Sequence, residues 1–156
     1  MDLRIAITDD LNSEREKLSS AIVAPFSKVG LNVGNIDEYT SSEELLRQFS
    51  AGRYDLIFLD LYMGGMSGVE TAKRIRGIDK NVMLVFVTTS NEFASESSAL
   101  RANFYLLKPI RSDSVRQLAE TLAQQMQNRR SVAALPDGTV IPLSSLVYTS
   151  CSGHYV

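Results

Sequence analysis

Two short, continuous apolar runs constrain the fold of this chain more than any other feature. Leu56 to Leu59 and Val82 to Val87 contain no polar side chain. Each run is too short for an ordinary helix, and neither alternates with polar residues as a strand with one solvated face would. Strands that are covered on both faces have this composition, and they occur in parallel sheets with helices on either side. The runs therefore predict an α/β fold.

Segments with helical periodicity separate the expected strands. The sequence indicates strands at residues 3–8, 32–39, 56–60, 82–87 and 104–107. It indicates helices at about 13–28, 41–52, 68–76, 91–102 and 112–128, the second of them ended by Gly52. Three capping boxes begin these helices: Asn12 or Ser13 with Glu16, Ser41 with Glu44, and Ser67 with Glu70. With right-handed crossovers, this alternation predicts a doubly wound, five-stranded parallel sheet.

The pattern changes after Arg129 and Arg130. Residues 131–156 place a Pro136-Asp137-Gly138 turn between short apolar stretches. Such spacing is typical of short strands joined by a turn, so a short β-rich C-terminal tail without a helix is expected. Residues 1–128 are therefore treated as one domain and 129–156 as a separate segment.

Composition excludes several classes of protein. The net charge of −2 gives no general attraction to nucleic acid or anionic membranes. Cys151 is the single cysteine, so neither an internal disulfide nor a cysteine-built metal site can form. No apolar run approaches the length of a membrane span, and the N-terminus lacks the pattern of a secretion signal. A cytoplasmic protein without a membrane partner is expected.

Acidic side chains follow two of the expected strands. Asp9 and Asp10 come after the first strand, and Asp60 ends the third. Since the carboxyl ends of parallel strands meet at one edge of the sheet, these carboxylates are expected to lie together and to raise one another's pKa values unless a cation is present. An all-oxygen site of this kind suits Mg²⁺, which takes one or two carboxylates and completes its shell with water and phosphate oxygens.

Two further side chains at the same edge suit a phosphoryl group. Thr88 follows the fourth apolar run and offers a hydroxyl, and Lys108 follows the fifth strand and offers a mobile positive charge. A carboxylate can accept a phosphoryl group as an aspartyl phosphate. Asp60, on the central strand, is the best placed of the acids to be that nucleophile.

Taken together, these motifs resemble the CheY-like receiver domain of two-component response regulators. The resemblance covers residues 1 to about 128 and rests on the following residues: Asp9 and Asp10, Asp60 with the loop Met63 to Gly68, Thr88, and Tyr105 to Pro109. It implies the CheY-like, flavodoxin-like strand order 2-1-3-4-5. It also implies that the Lys108-Pro109 peptide bond is cis.

The resemblance implies a role for each of these side chains. Asp9, Asp10 and Asp60 would bind Mg²⁺, and a sensor histidine kinase would phosphorylate Asp60. Thr88 and Lys108 would contact the phosphoryl group, and Tyr105 would be the aromatic switch that turns inward when Thr88 moves. The domain would be a phosphoacceptor in signalling and no enzyme beyond its own phosphotransfer and autodephosphorylation. A homodimer would use the last two helices and the last strand.

The loop after Asp60 departs from the usual pattern of the family. Gly64 stands where proline usually follows methionine, which is expected to loosen the loop. Thr89 stands where a small alanine or glycine is usual, so phosphate access or lifetime is expected to differ. Tyr62 flanks the site, and its bulk is expected to shield the acyl phosphate.

The tail has a weaker resemblance of its own. Val140 to Tyr148 and Gly153 to Val156 look like the opening strands of a LytTR-type (LytR/AlgR) DNA-binding domain. Residues 129–156 would then be a linker and an incomplete fragment of that output domain, near its first quarter. The resemblance implies transcription regulation by the full-length protein, with DNA bound only through the missing part of the output domain.

Three other functions were weighed. An aspartate-nucleophile phosphatase needs a second acid two residues after the nucleophile, and Tyr62 occupies that position. A flavin-binding electron carrier of the same fold would need hydroxyls and amides after the first strand, where Asp9 and Asp10 would repel a phosphate. A stand-alone receiver that acts only through protein contacts is disfavoured for the parent protein by the tail.

Overall fold

A five-stranded, all-parallel sheet organises the chain. The computed structural model describes residues 2–89, 100–130, 132–134 and 140–142. The strands are β1 (Asp2–Thr8), β2 (Asn32–Tyr39), β3 (Leu56–Asp60), β4 (Met83–Thr88) and β5 (Phe104–Leu107). Their order is β2-β1-β3-β4-β5, and every neighbouring pair is parallel. The predicted fold class and strand order are confirmed.

The apolar runs lie in the centre of this sheet. Every residue of β3 and of β4 is buried. On one face, the inward side chains of the strands pack with residues of the helices to form an apolar cluster, which includes Ile57, Leu59, Leu84, Phe86, Leu45 and Ile75. Strands in this position have no solvated face, which explains why their sequences show no polar alternation.

The register of the ladder aligns the ends of the strands. Thr8 is in register with Leu59, so the residue after β1 lies level with Asp60. Asp60 is in register with Val87, and Thr88 with Leu107. Because the strands are parallel, the polar residues that end or follow them meet at one edge of the sheet.

Helices connect the strands. They are α1 (Asn12–Lys28), α2 (Ser42–Gln48), α3 (Gly68–Ile78) and α4 (Ser112–Arg130). Two capping predictions are confirmed, since Ser41 Oγ accepts a hydrogen bond from the N–H of Glu44 at 3.1 Å and Ser67 Oγ one from Glu70 at 3.2 Å. Helix α4 buries the residues predicted for its apolar face: Val115, Leu118, Leu122 and Met126.

The predicted start of the first helix was wrong. The capping position of α1 is Leu11, whose side chain makes no capping bond, and neither Asn12 nor Ser13 acts as the cap. The physical reason lies upstream. Asp9 Oδ1 accepts a hydrogen bond from the N–H of Leu11 at 3.0 Å and so turns the chain into the helix before Asn12 is reached.

The second helix is shorter than predicted. It ends at Gln48, because Phe49 adopts an extended backbone and its side chain is buried. Gly52 lies beyond the helix with a φ of 80° and does not end it. Burial of one aromatic side chain therefore decides the helix end in place of the glycine signal.

The described part of the tail is extended. Strands β6 (Val132–Ala134) and β7 (Val140–Pro142) pair in an antiparallel, two-stranded sheet, as the β-rich prediction expects. The predicted turn at Pro136 to Gly138, the rest of the tail and most of the helix predicted at 91–102 lie outside the described residues. Within the described ranges, no helix is long and apolar enough to cross a membrane.

Candidate functional site

The predicted acidic cluster forms at the carboxyl edge of the sheet. Asp9 and Asp60 are buried, and Asp10 is exposed. One carboxylate oxygen from each of the three lies within 4.8 Å of the others. The sheet brings Asp9 and Asp60 together because the end of β1 and the end of β3 are in register.

Asp60 is oriented by two donors. The backbone N–H of Tyr62 donates to Oδ1 at 3.0 Å, and Lys108 Nζ donates to Oδ2 at 3.2 Å. Burial raises the pKa of the Asp60 carboxyl above its usual value, and the charge of Asp9 adds to this effect. The Tyr62 N–H and Lys108 oppose the rise without cancelling it. The ionised carboxylate is thus poorly solvated.

Lys108 joins the two buried acids. Its ammonium lies 2.7 Å from Oδ2 of Asp9, and only 10% of its side chain is exposed. Burial lowers the pKa of Lys108, but the hydrogen bond to Asp9 and the charges of Asp60 and Asp9 outweigh burial, so the pKa is raised. Its own backbone N–H donates to the Thr88 carbonyl at 2.7 Å, and the predicted cis Lys108-Pro109 bond is confirmed.

Asp9 is held by an arginine that the sequence analysis missed. Arg15 is buried, and its Nη1 donates to the Asp9 carbonyl at 2.7 Å while its Nε donates to Glu38 at 2.9 Å. A signal for this role was available. Arg15 falls on the same helical stripe as the buried Leu18, Ile22 and Phe26 of α1, and a charged residue at an apolar position needs buried partners.

Asp9 and Asp60 also share a local motif. In each case the N–H two residues later donates to the aspartate Oδ1, from Leu11 and from Tyr62 respectively, at 3.0 Å. Such Asx turns fix a carboxylate relative to its own backbone. Each acid therefore keeps its second oxygen, Oδ2, for partners from elsewhere in the chain, and Lys108 contacts both of these oxygens.

Thr88 and Tyr105 occupy the positions expected from the sequence. Thr88 is fully buried at the end of β4. Tyr105, on β5, is partly buried, and its ring meets Phe86 edge to face with centroids 6.3 Å apart. The Tyr105 ring therefore packs with the apolar core behind the acidic cluster. Its role as a switch stays a prediction.

The donor set fits a hard divalent cation. Three carboxylates converge at one point, and burial keeps the ionised form of Asp60 costly even with the Tyr62 N–H and Lys108 beside it. A set of three carboxylates of which one, Asp10, is exposed suits Mg²⁺, because this ion keeps several waters in its shell. The only histidine of the sequence, His154, is remote in the chain from these residues. The arrangement can hold a cation and a phosphoryl group beside a nucleophilic carboxylate.

Comparison with known proteins agrees with this geometry. Residues 5–120 match the family described as the response regulator receiver domain. The chain is 31% identical over 103 residues to the sensory transduction protein LytR of Staphylococcus haemolyticus, covering 66% of this chain and 40% of that protein. It is 30% identical over 141 residues to the positive alginate biosynthesis regulatory protein of Pseudomonas aeruginosa, covering 85% and 51% respectively.

Solved structures show the same likeness. The response regulator protein TrrA of Thermotoga maritima, in complex with Mg(2+)-BeF, is 31% identical with a TM-score of 0.63, and the match covers 78% of this chain and 99% of that one. The chain spans about half or less of the length of the two curated relatives named above. The family match begins at Ile5 in β1 and covers the rest of the five-stranded sheet and all three acids. The chain therefore belongs to the response regulator receiver domain family.

Proposed function

We propose that Asp60 accepts a phosphoryl group from a sensor histidine kinase and that Mg²⁺ binds at Asp9, Asp10 and Asp60. The observation that carries the proposal is the position of Asp60. Its carboxylate is buried at the end of the central strand, is oriented by the Tyr62 N–H and faces the Lys108 ammonium. The Mg(2+)-BeF complex of TrrA supports the same pairing of a cation with a phosphoryl-like group.

The chemistry follows from these contacts. An Asp60 oxygen attacks the phosphorus of the donor, the bond from phosphorus to the donor's nitrogen breaks, and its electron pair returns to that nitrogen. Lys108 contacts both Asp9 and Asp60 and is mobile enough to follow the charge onto the transferred phosphoryl oxygens. Mg²⁺, when bound, would neutralise part of the same charge. Thr88 would supply its hydroxyl to the phosphoryl group.

The signal would pass from the phosphorylation site to the edge of the sheet formed by β5. Thr88, at the end of β4, would move toward the phosphoryl group. Tyr105 on β5, whose ring packs on Phe86 of β4, would then turn inward. The output would be altered contacts of strand β5 and of the helices predicted at 91–102 and 112–128, including formation of a homodimer. The chain would act as a switch and catalyse only its own phosphotransfer and dephosphorylation.

The chain would be the receiver part of a transcriptional regulator. Residues 1–128 would be the receiver domain, and 129–156 the linker and first strands of a LytTR-type output domain. Support comes from relatives named as a sensory transduction protein and as a regulatory protein, of which this chain covers 40% and 51%, and from the extended β6 and β7. DNA would be bound only through the remaining part of such a domain.

The test is the intact mass of the protein after incubation with acetyl phosphate and Mg²⁺. The wild type is expected to gain one phosphoryl group, and Asp60→Asn and an EDTA-treated sample are expected to gain none. Glu120→Gln, which changes an exposed acid of α4, is the matched control and should be labelled like the wild type. Full labelling of Asp60→Asn would refute the assignment of the nucleophile.

A further inference from the structure

The loop between β3 and α3 is anchored tightly at both ends. It comprises residues 61–67 and follows Asp60 directly. The N–H of Gly68 approaches the carbonyl of Leu61 at 3.4 Å, and a Cβ on Gly68 would lie 2.7 Å from the Asp60 carbonyl oxygen and 2.6 Å from the Leu61 Cα. The two ends of the loop are therefore in direct backbone contact, and its conformation depends on what holds the residues between them.

A glutamate from another helix holds the far side of this loop. Glu43, in the first turn of α2, accepts a hydrogen bond at its Oε2 from the N–H of Met66 at 3.1 Å. The neighbouring Gly65 has a φ of 82°, and a Cβ there would lie 3.0 Å from the same Oε2. A side chain at 65 would thus meet the Glu43 carboxylate as well as the strained backbone.

Gly64 gives the loop no support of its own. A Cβ at this position would meet no atom within 4 Å. A glycine in open space leaves the chain free to adopt many conformations, and each must be lost for the loop to hold one shape. The contact from Glu43 therefore acts where the loop has the greatest freedom.

The beginning of the same loop orients the nucleophile. The Tyr62 N–H donates to Asp60 Oδ1 at 3.0 Å, only four residues before the Met66 N–H that binds Glu43. Since phosphoryl transfer depends on the orientation of the attacking oxygen, a loop that drifts would misdirect Asp60. We propose that Glu43 is a positioning residue for phosphoryl transfer, which fixes residues 62–66 so that Tyr62 holds Asp60 in line. This inference rests on the function proposed for Asp60.

The neighbouring glutamate provides a matched control. Glu44 lies in the same turn of α2, but its Oε2 accepts a hydrogen bond from the Thr40 hydroxyl at 2.9 Å. Glu43→Ala and Glu44→Ala each remove one negative charge from the first turn of α2, and only the first removes the acceptor of the Met66 N–H. Glu43→Gln keeps an oxygen acceptor without the charge.

Amide hydrogen exchange tests the contact without any phosphorylation. In Glu43→Ala, exchange of the amides of residues 62–66 is expected to be about three- to tenfold faster than in the wild type, the effect of one net hydrogen bond on local opening. Glu44→Ala is expected to exchange at the wild-type rate in this loop, and Glu43→Gln at a rate near it. Equal loop exchange in Glu43→Ala and the wild type would overturn the inference.

The kinetic test follows labelling by acetyl phosphate in saturating Mg²⁺. Glu43→Ala is expected to lower the maximal labelling rate about three- to tenfold while the half-saturating acetyl phosphate concentration is unchanged, because orientation and not binding is lost. Adding Gly64→Pro to Glu43→Ala should restore most of the rate by restricting the loop. A normal rate in Glu43→Ala would refute the positioning role. An unlabelled wild type would instead refute the proposed function, and the exchange experiment would still report whether Glu43 holds the loop.

Discussion

The ammonium of Lys108 lies 2.7 Å from Oδ2 of Asp9, closer than its 3.2 Å approach to Asp60. Lys108 thus binds a carboxylate of the acidic cluster and places a positive charge beside the candidate metal site. A cation held by the same carboxylates would be repelled by the Lys108 ammonium. Under the proposed function, Lys108 and Mg²⁺ would therefore compete for Asp9.

Removal of this lysine is expected to tighten Mg²⁺ binding while slowing phosphorylation. Lys108→Ala should lower the Mg²⁺ dissociation constant by about tenfold, as the loss of one nearby positive charge predicts. Isothermal titration calorimetry measures the constant directly. Lys17→Ala, which removes an exposed lysine of α1, should leave it unchanged. Weaker Mg²⁺ binding by Lys108→Ala would show that the two cations do not compete.

Gly64, in the loop of residues 61–67, and Gly68, the first residue of α3, should differ sharply in their tolerance of a methyl group. Gly68→Ala would place its Cβ 2.6 Å from the Leu61 Cα and is expected to destabilise the fold by about 2 kcal/mol or more. Gly64→Ala has open space and should change the free energy of unfolding by less than about 1 kcal/mol. Urea unfolding curves of the two variants provide the measurement. Equal stabilities would contradict the close backbone contact at Gly68.

The carboxylate of Asp79 should make the free energy of unfolding depend on pH in the acid range. Its Oδ2 accepts the N–H of Gly52 at 3.0 Å, and its Oδ1 accepts those of Asn81 at 2.8 Å and Val82 at 3.1 Å. Burial alone would raise the pKa of Asp79, but these bonds outweigh it and the pKa is lowered. The stabilisation is therefore complete above the unfolded-state pKa of about 3.9 and is lost as the pH falls through the lower, folded-state value.

Asp79→Ala should lower the free energy of unfolding by about 1 to 2 kcal/mol at neutral pH. The difference from the wild type should shrink as the pH falls below about 4, since Asp79 of the unfolded chain then takes up a proton more readily than Asp79 of the folded protein. Unfolding curves at several pH values test both statements, with Glu120→Ala as the exposed-acid control. A difference that grows in acid would contradict the direction of the shift.

Tyr62 should lengthen the life of the aspartyl phosphate. Its backbone N–H donates to Asp60 Oδ1, so Tyr62 lies next to the nucleophile, and 43% of the residue is exposed. Tyr62→Ala is expected to speed dephosphorylation about threefold, equivalent to ~0.7 kcal/mol in the barrier. Tyr62→Phe keeps the ring and should behave like the wild type. The decay of the phosphorylated mass with time gives both rates, and slower decay in Tyr62→Ala would exclude shielding.

The sheet and the acidic cluster could be predicted because their signals are local. The run Leu56 to Leu59 has the composition of a strand that is covered on both faces of a sheet, and Asp60 lies at its end. The topology then brings Asp9 and Lys108 to the same edge without any knowledge of side-chain contacts. Serine caps such as Ser41 are equally local, since donor and acceptor are three residues apart.

The contacts that tune the site could not be predicted in this way. Glu43 and Met66 are 23 residues apart and belong to different elements, so no periodicity connects them. The capping position at Leu11 was not predicted because the Asp9 side chain accepts the Leu11 N–H before the predicted cap is reached. The contact between Glu43 and Met66 depends on the tertiary fold, which overrides local preference.

The register of the strands has a consequence for how this protein would tolerate change. A parallel ladder can shift only by whole residues, and a shift of one residue reverses the direction of every side chain. With Thr8 opposite Leu59 and Thr88 opposite Leu107, the chemical groups are assembled fully or not at all. Substitutions of the apolar residues of β3 and β4 should accordingly reduce the amount of competent protein, while each folded molecule keeps its full reactivity.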